Sequence, residues 1–341
     1  MDNLAVSKPK FWNLSIYRLI ATLCVLAFHL VYLTQLKVDN WVYFLSKGVQ
    51  GLTMLSAFLY SQKVIKDIKN FYLKNLIKII IPALIVALGV VIFDTIFFFS
   101  MGGGNWQDYI NCFTDILPKD GRFITQLDNF YYLGYLFICY LLLPVLHKSY
   151  NDKSIWAYVV IGVVAVAELV LAYFFGMAII LNCFIFGFYF GKYFFKKLTS
   201  NEEKPGFSSW FIAVFLTAIS IGIYAISIRF LPSINIVKLL ENIMMSTFGM
   251  GSAILIILIF KWANNVHHLS FFKFTDKICL YIYLLNQLFM VGITNLTDYI
   301  NNLPLAFLVI IACTIITSIA LYYLEVLVKL PFHKKDKELA K

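Results

Sequence analysis

Arg18 and His29 stand eleven residues apart in an otherwise apolar stretch, "IYRLIATLCVLAFHL" (16–30). An arginine stays charged in a protein, while a histidine exchanges a proton near neutral pH. The pair therefore offers a permanent cation and a proton acceptor. In an α-helix eleven steps end about 20° past whole turns, so the two side chains share one face, roughly 16 Å apart along the axis. A charged residue in a membrane span is costly, and it usually faces a bundle interior or a water-filled cavity. One face carrying both groups points to one cavity running through most of the bilayer. A plainer reading stands beside it: Arg18 snorkels to the headgroups, and His29 is a hydrogen-bonded interior residue.

Such a placement requires helices that cross a membrane. Of the 341 residues 61% are hydrophobic and 13% charged, with 33 phenylalanines; a soluble fold does not need so much apolar surface. The apolar runs are continuous and close to the roughly 20 residues a helix needs to span the bilayer core. A strand barrel would show short alternating segments instead. The first run is long and no small-residue cleavage site follows it, unlike a cleavable signal peptide. The expectation is an all-α polytopic bundle of about ten transmembrane helices. They fall at about 12–35, 41–62, 76–99, 129–147, 155–174, 178–195, 208–229, 240–261, 275–294 and 304–328. The division between the fifth and sixth, at "FFGMA", rests on Gly176 alone. The chain reads as one membrane domain, 1–341, with an external loop at about 100–128 and a basic cytoplasmic loop at about 63–75.

Cations set the orientation. With ten spans both termini share a side, and that side carries 21 lysines, against six lysines and arginines opposite. Both termini are therefore expected in the cytoplasm. The same asymmetry accounts for the net charge of +10, so nucleic acid is not needed as a partner. Five of the six cysteines, Cys24, Cys139, Cys183, Cys279 and Cys313, fall inside spans; Cys112 alone falls in an external loop. That distribution does not suggest a disulfide framework. No C-x-x-C or His-Cys cluster resembles a metal site, and His267-His268 reads as interfacial polarity.

Other polar groups lie within the spans. Glu168 is central in the fifth, within "VAVAELVLAY". A lone carboxylate there is protonated or paired, with an arginine or a histidine as candidate partners. Asp94, Asn182 and Glu325 lie nearer span ends, where water reaches them. Tyr131, Tyr132 and Tyr135 would suit a sugar-facing vestibule, although interfacial aromatics are common in any membrane protein.

Several stretches, in order, resemble one family. "YRLIATLCVLAFHL" resembles the first span of membrane-bound acyltransferase family 3, whose signature is Arg, ten residues, His. "KGVQGLTMLSAFLYSQ" at 47–62 resembles its second span, G-V-x-x-F-F-x-L-S-G-F-L, with Ala57 for the glycine. "FYLKNLIKIIIPAL" (71–84) resembles the basic segment before span three. "FYYLGYLFICYLLLPVL" (130–146) resembles the W-Y-L-x-x-L-I-x-L-Y-L-L-x-P stretch of members that modify surface polysaccharides. "FIFGFYFGKYF" (184–194) resembles the G-Y-x-L-G element, and "LYIYLLNQLF" (280–289) the late G-I-Y-L-I-H element. Two departures carry chemical weight. The family's R-R-x-x-R is here Lys74, Asn75 and Lys78, so one cation is neutral. The late histidine is Asn286, which keeps hydrogen bonding but cannot shuttle a proton.

The resemblance implies an O-acyltransferase, by default an O-acetyltransferase, of the bacterial plasma membrane. It would move an acyl group from acyl-CoA, a co-substrate rather than a resident cofactor, to a hydroxyl of a surface or capsular polysaccharide or its lipid-linked precursor. The residue types fit. His29 suits a general base for the attacking hydroxyl. Arg18 is too far along the axis to meet the oxyanion in the same transition state, and is expected to hold acyl-CoA phosphates or pantetheine amides. Lys74 and Lys78, four apart on one helix face, would take nucleotide phosphates, or serve membrane orientation alone. Glu168, Tyr131, Tyr132, Tyr135 and Asn286 are candidate cavity residues. Two rival classes remain: a transporter or flippase of a polar or lipid-linked sugar, and a non-catalytic membrane module. A transporter would favour repeated halves or paired broken helices, and neither is evident.

Overall fold

The computed structural model describes residues 12–33, 40–65, 67–100, 130–199, 205–230, 234–262, 270–291 and 294–338. Its helices are α1 (Trp12–Leu33), α2 (Tyr43–Ser46), α3 (Gly48–Tyr60), α4 (Ile68–Ser100), α5 (Tyr131–Asn151), α6 (Ile155–Phe175), α7 (Leu181–Thr199), α8 (Phe207–Phe230), α9 (Asn235–Trp262), α10 (Ser270–Leu285) and α11 (Leu303–Glu338). No strand occurs among the described residues, so the chain is all-α as expected. Hydrocarbon leaves a spanning backbone no water to bond, and a helix satisfies its own N–H and C=O groups. Residues 101–128 of the expected external loop, with Cys112, lie outside the described residues, as do Lys8, Lys10, Lys66 and His267-His268.

Among the described residues, seven helices are long and apolar enough to cross a membrane: α1, α4, α5, α6, α8, α9 and α11. The other three expected spans are helical but differ from a plain crossing. The stretch 41–62 is interrupted at Lys47, between α2 and α3. The stretch 178–195 is α7, whose last turn carries Lys196 and Lys197. The stretch 275–294 stays helical only to Leu285, then continues as hydrogen-bonded turns. Thr294 donates to the Leu288 carbonyl and the Leu296 N–H to the Phe289 carbonyl, at 2.5 and 3.0 Å. Asn286 and Leu288 there are fully buried. Non-helical backbone at such depth is tolerated where protein surrounds it.

By its contacts the chain divides into two compact units. The first comprises residues 1–21, 47–64 and 142–276. Its core gathers Tyr17, Met54, Leu55, Phe58, Phe190, Leu198, Ile254 and Leu258, with α3 packed on α7 and α9, and α8 on α9. Two glycines set these distances. A Cβ on Gly187 would lie 2.3 Å from the Met54 carbonyl oxygen, and one on Gly249 would lie 2.5 Å from that of Lys47. Small residues let helix backbones approach where packing, not water, holds them together. Gly176 ends α6 in the left-handed conformation, at φ 65°, and its N–H donates to the Ala172 carbonyl at 3.0 Å. The turn read from one glycine is therefore present.

The second unit comprises residues 22–46, 65–141 and 277–341. Here α4 packs along α11, with the Leu321 side chain against Gly89. Aromatic edges tie the turns after α10 to α4: Phe93 meets Phe289 with ring centroids 5.3 Å apart, and Phe97 meets Tyr299 at 5.7 Å. Such edge-to-face contacts match the ring quadrupoles.

Candidate active site

Helix α1 runs unbroken from Trp12 to Leu33, so the helical arithmetic for Arg18 and His29 applies along it. The sequence calls for this helix: strong apolar content, no proline or glycine within it, and β-branched residues thinly spread among good helix formers.

Arg18 does not reach out to headgroups alone. Its Nη1 donates to Asp276 Oδ1 on α10 at 2.5 Å, and the two side chains keep 30% and 27% of their surface exposed. Intramembrane charges commonly pair in this way. One bond to Asp276 still leaves most of the guanidinium's five donors for another partner. Sequence reasoning passed over Asp276, although an acid inside the expected span 275–294 was the available signal.

His29 is partly buried. Its ring packs edge-on against Phe28, centroids 5.3 Å apart, and Phe28 stacks on Tyr32 at 5.4 Å. Nδ1 lies 3.4 Å from the side-chain amide of Gln287. Gln287, 7% exposed, belongs to the turns that follow α10, beside the fully buried Asn286. The late element flagged by Asn286 thus meets the first span through the residue after it.

Lys74 and Lys78 are exposed on α4, and Asn75 between them is buried. The neutral residue in the family's basic pattern therefore sits where a cation would be costly. Lys329 on α11 lies within electrostatic reach of Lys78, as does Lys74. Lys329 pairs with Glu325, which also accepts from the Tyr281 hydroxyl at 2.7 Å. This third cation and its acid were not singled out from sequence as phosphate-side residues.

Glu168 is paired, and the partner left open by the sequence can be named. Its partner is neither an arginine nor a histidine but the start of α7. Oε1 accepts from the N–H groups of Ile180 and Leu181, both at 2.6 Å. Oε2 accepts from the Asn182 N–H at 2.7 Å and from Asn182 Nδ2 at 2.8 Å. A helix leaves its first N–H groups unsatisfied, and this carboxylate answers three of them from the preceding helix. Glu168 is 4% exposed, so it belongs to the packing of the α6–α7 turn.

The three tyrosines of α5 part company. Tyr132 is buried edge-on against Tyr283, centroids 5.0 Å apart. Tyr131 is exposed and Tyr135 partly so, and these two contact each other at 6.2 Å. Residues one apart on a helix point in different directions, while those four apart meet. Tyr131 and Tyr135 therefore share one face of α5, and Tyr131 also interacts with Tyr283.

Neither curated proteins nor solved structures yield a match to this chain. A family model described as an acyltransferase domain does match, over residues 11–323. That range covers nearly the whole chain and includes Arg18, His29, Lys74, Lys78 and Asn286. The chain belongs to acyltransferase family 3.

Proposed function

We propose that the protein is an O-acyltransferase that moves an acyl group, acetyl by default, from cytoplasmic acyl-CoA to a hydroxyl of a cell-surface or capsular polysaccharide or its lipid-linked precursor. The observation that carries this reading is the family match across the span bearing both Arg18 and His29. The membrane is the bacterial plasma membrane, with both termini cytoplasmic, as the distribution of lysines favours.

His29 acts as general base. The acceptor hydroxyl oxygen bonds the thioester carbonyl carbon while its proton passes to a ring nitrogen of His29. The tetrahedral oxyanion collapses, the carbon–sulfur bond breaks, and His29 returns the proton to the CoA sulfur. The products are an ester and the CoA thiol, so atoms and charge balance. A base near neutral pKa serves both halves of this exchange. Lys74 and Lys78 hold CoA phosphates, joined electrostatically by Lys329. Arg18, on the His29 face of α1, contacts the phosphates or pantetheine amides with the donors Asp276 leaves. Tyr131 and Tyr135 supply aromatic surface for the acceptor sugar.

The test is turnover by the purified protein with acyl-CoA and a bacterial surface polysaccharide. The expected result is CoA release that requires the acceptor, with ester appearing on the polysaccharide. Acceptor-independent CoA release, or release unaltered in His29→Ala, overturns the reading.

A further inference from the structure

The amide of Gln287 beside His29 has a chemical consequence. Its nitrogen is placed 3.4 Å from Nδ1. Were that amide N–H to donate, Nδ1 would be the acceptor and Nε2 would carry the ring proton. Such a ring offers a substrate hydroxyl no lone pair at Nε2. A half-turn of the terminal amide exchanges oxygen for nitrogen in nearly the same volume, and the hydrogen-bond network must choose between them. With the oxygen toward the ring, Nδ1–H donates, and Nε2 is left with its lone pair.

We propose that Gln287 is the positioning residue for His29: its Oε1 accepts the Nδ1 proton and so holds the tautomer whose Nε2 can take the acceptor's proton. The inference rests on reading His29 as the base, but its geometry is independent of that reading. Gln287 is set in a fixed piece of backbone. The Leu288 N–H donates to the Leu285 carbonyl and the Met290 N–H to the Gln287 carbonyl, both at 3.0 Å. Its side chain is nearly excluded from solvent, so water does not compete for the amide. Among the described residues, Gln287 supplies the ring's hydrogen-bonding contact. The 3.4 Å approach is long for a hydrogen bond, as catalytic contacts often are before substrate binds. A histidine base oriented by an acceptor on its second nitrogen follows the general logic of catalytic triads, in which the wrong tautomer is costly.

Three purified variants decide it. A carboxylate only accepts, whereas an amide both accepts and donates. Gln287→Glu is therefore expected to retain at least about half of the transfer rate, and Gln287→Leu to lose about tenfold or more in kcat with KM for acyl-CoA unchanged. Nitrogen NMR of the labelled histidine should show the Nδ1–H tautomer in the wild type and in Gln287→Glu, and a mixture in Gln287→Leu. A Gln287→Glu protein as impaired as Gln287→Leu, or an Nε2–H tautomer in the wild type, overturns the proposal. His29→Ala separates the two claims. Its retained transfer would remove the base, while the tautomer spectra would still decide whether Gln287 sets the ring.

Discussion

Glu168 and His29 are both single ionisable residues in apolar helices, and their surroundings are opposite. The carboxylate at the α6–α7 turn receives four hydrogen bonds of 2.6 to 2.8 Å. The imidazole on α1 has one hydrogen-bonding contact among the described residues, at 3.4 Å. Four donors saturate a carboxylate, and nothing is left with which to greet a substrate. A ring with one long contact on one nitrogen retains hydrogen-bonding capacity that a saturated carboxylate lacks. Burying a polar group is justified by its partners, so the two surroundings differ in how much hydrogen-bonding capacity they leave: none at Glu168, and one ring nitrogen at His29 on the proposed reading of it as the base.

The comparison breaks most sharply at His29. His29→Ala is expected to lower transfer by about 10²–10⁴-fold while acyl-CoA still binds, because a lost base removes proton transfer and no ground-state contact. Single-turnover transfer and equilibrium binding on the same preparation check this, and full transfer would reduce His29 to an interior residue.

Arg18 comes next. Arg18→Ala should weaken acyl-CoA binding about tenfold, the scale of a lost hydrogen bond between charged groups, and should leave Asp276 without its cation. Asp276→Asn should cost less than Arg18→Ala in binding, since the arginine remains. Unchanged affinity in a folded Arg18→Ala would assign the Arg18–Asp276 pair to structure, beside Glu168.

Smaller again is the effect of the lysines. Replacing Lys74 and Lys78 with alanine should raise KM for acyl-CoA by about two- to fivefold, given that exposed charges each contribute well under about 1 kcal/mol in water. Surface expression should hold, because other lysines on that side remain. A normal KM in the double variant would leave these residues with membrane orientation alone.

Glu168 should show the smallest effect on catalysis. Glu168→Gln keeps the shape but turns a donor toward the helix start. It should lower thermal stability, by about 1–3 kcal/mol for a buried group left without its partner, with the transfer rate per folded molecule unchanged. A specific loss of kcat at full stability would move Glu168 to the catalytic side of the comparison.

Much of this was legible in local sequence. Apolar run length gave the helices, because a spanning helix needs about 20 residues whatever it packs against. The Arg18–His29 face followed from helical repeat, and the α6–α7 break from a single glycine. Interruptions were harder. The stretches 41–62 and 275–294 are apolar enough on average to read as spans, yet Lys47 interrupts the first, and in the second the helix ends just before Asn286 and Gln287. Partners were the least legible. Arg18 finds Asp276, and His29 finds Gln287, each 258 residues away. No periodicity within one helix reports on a contact made by another. Glu168 was expected to be protonated or paired, but its partners could not be named for a related reason: they are mostly backbone N–H groups, which carry no signature in residue types.

The start of α7 has a further electrostatic meaning. The aligned peptide dipoles of a helix place a partial positive charge at its first turn, and with the free N–H groups they make an anion-binding site. In this chain that station holds an anion tethered to the neighbouring helix, Glu168. A phosphate or carboxylate arriving with substrate finds its charge and its donors already taken. The first turn of α7 is thereby closed to a second anion, and on the proposed acyl-CoA reading the phosphates must be met by side-chain cations instead.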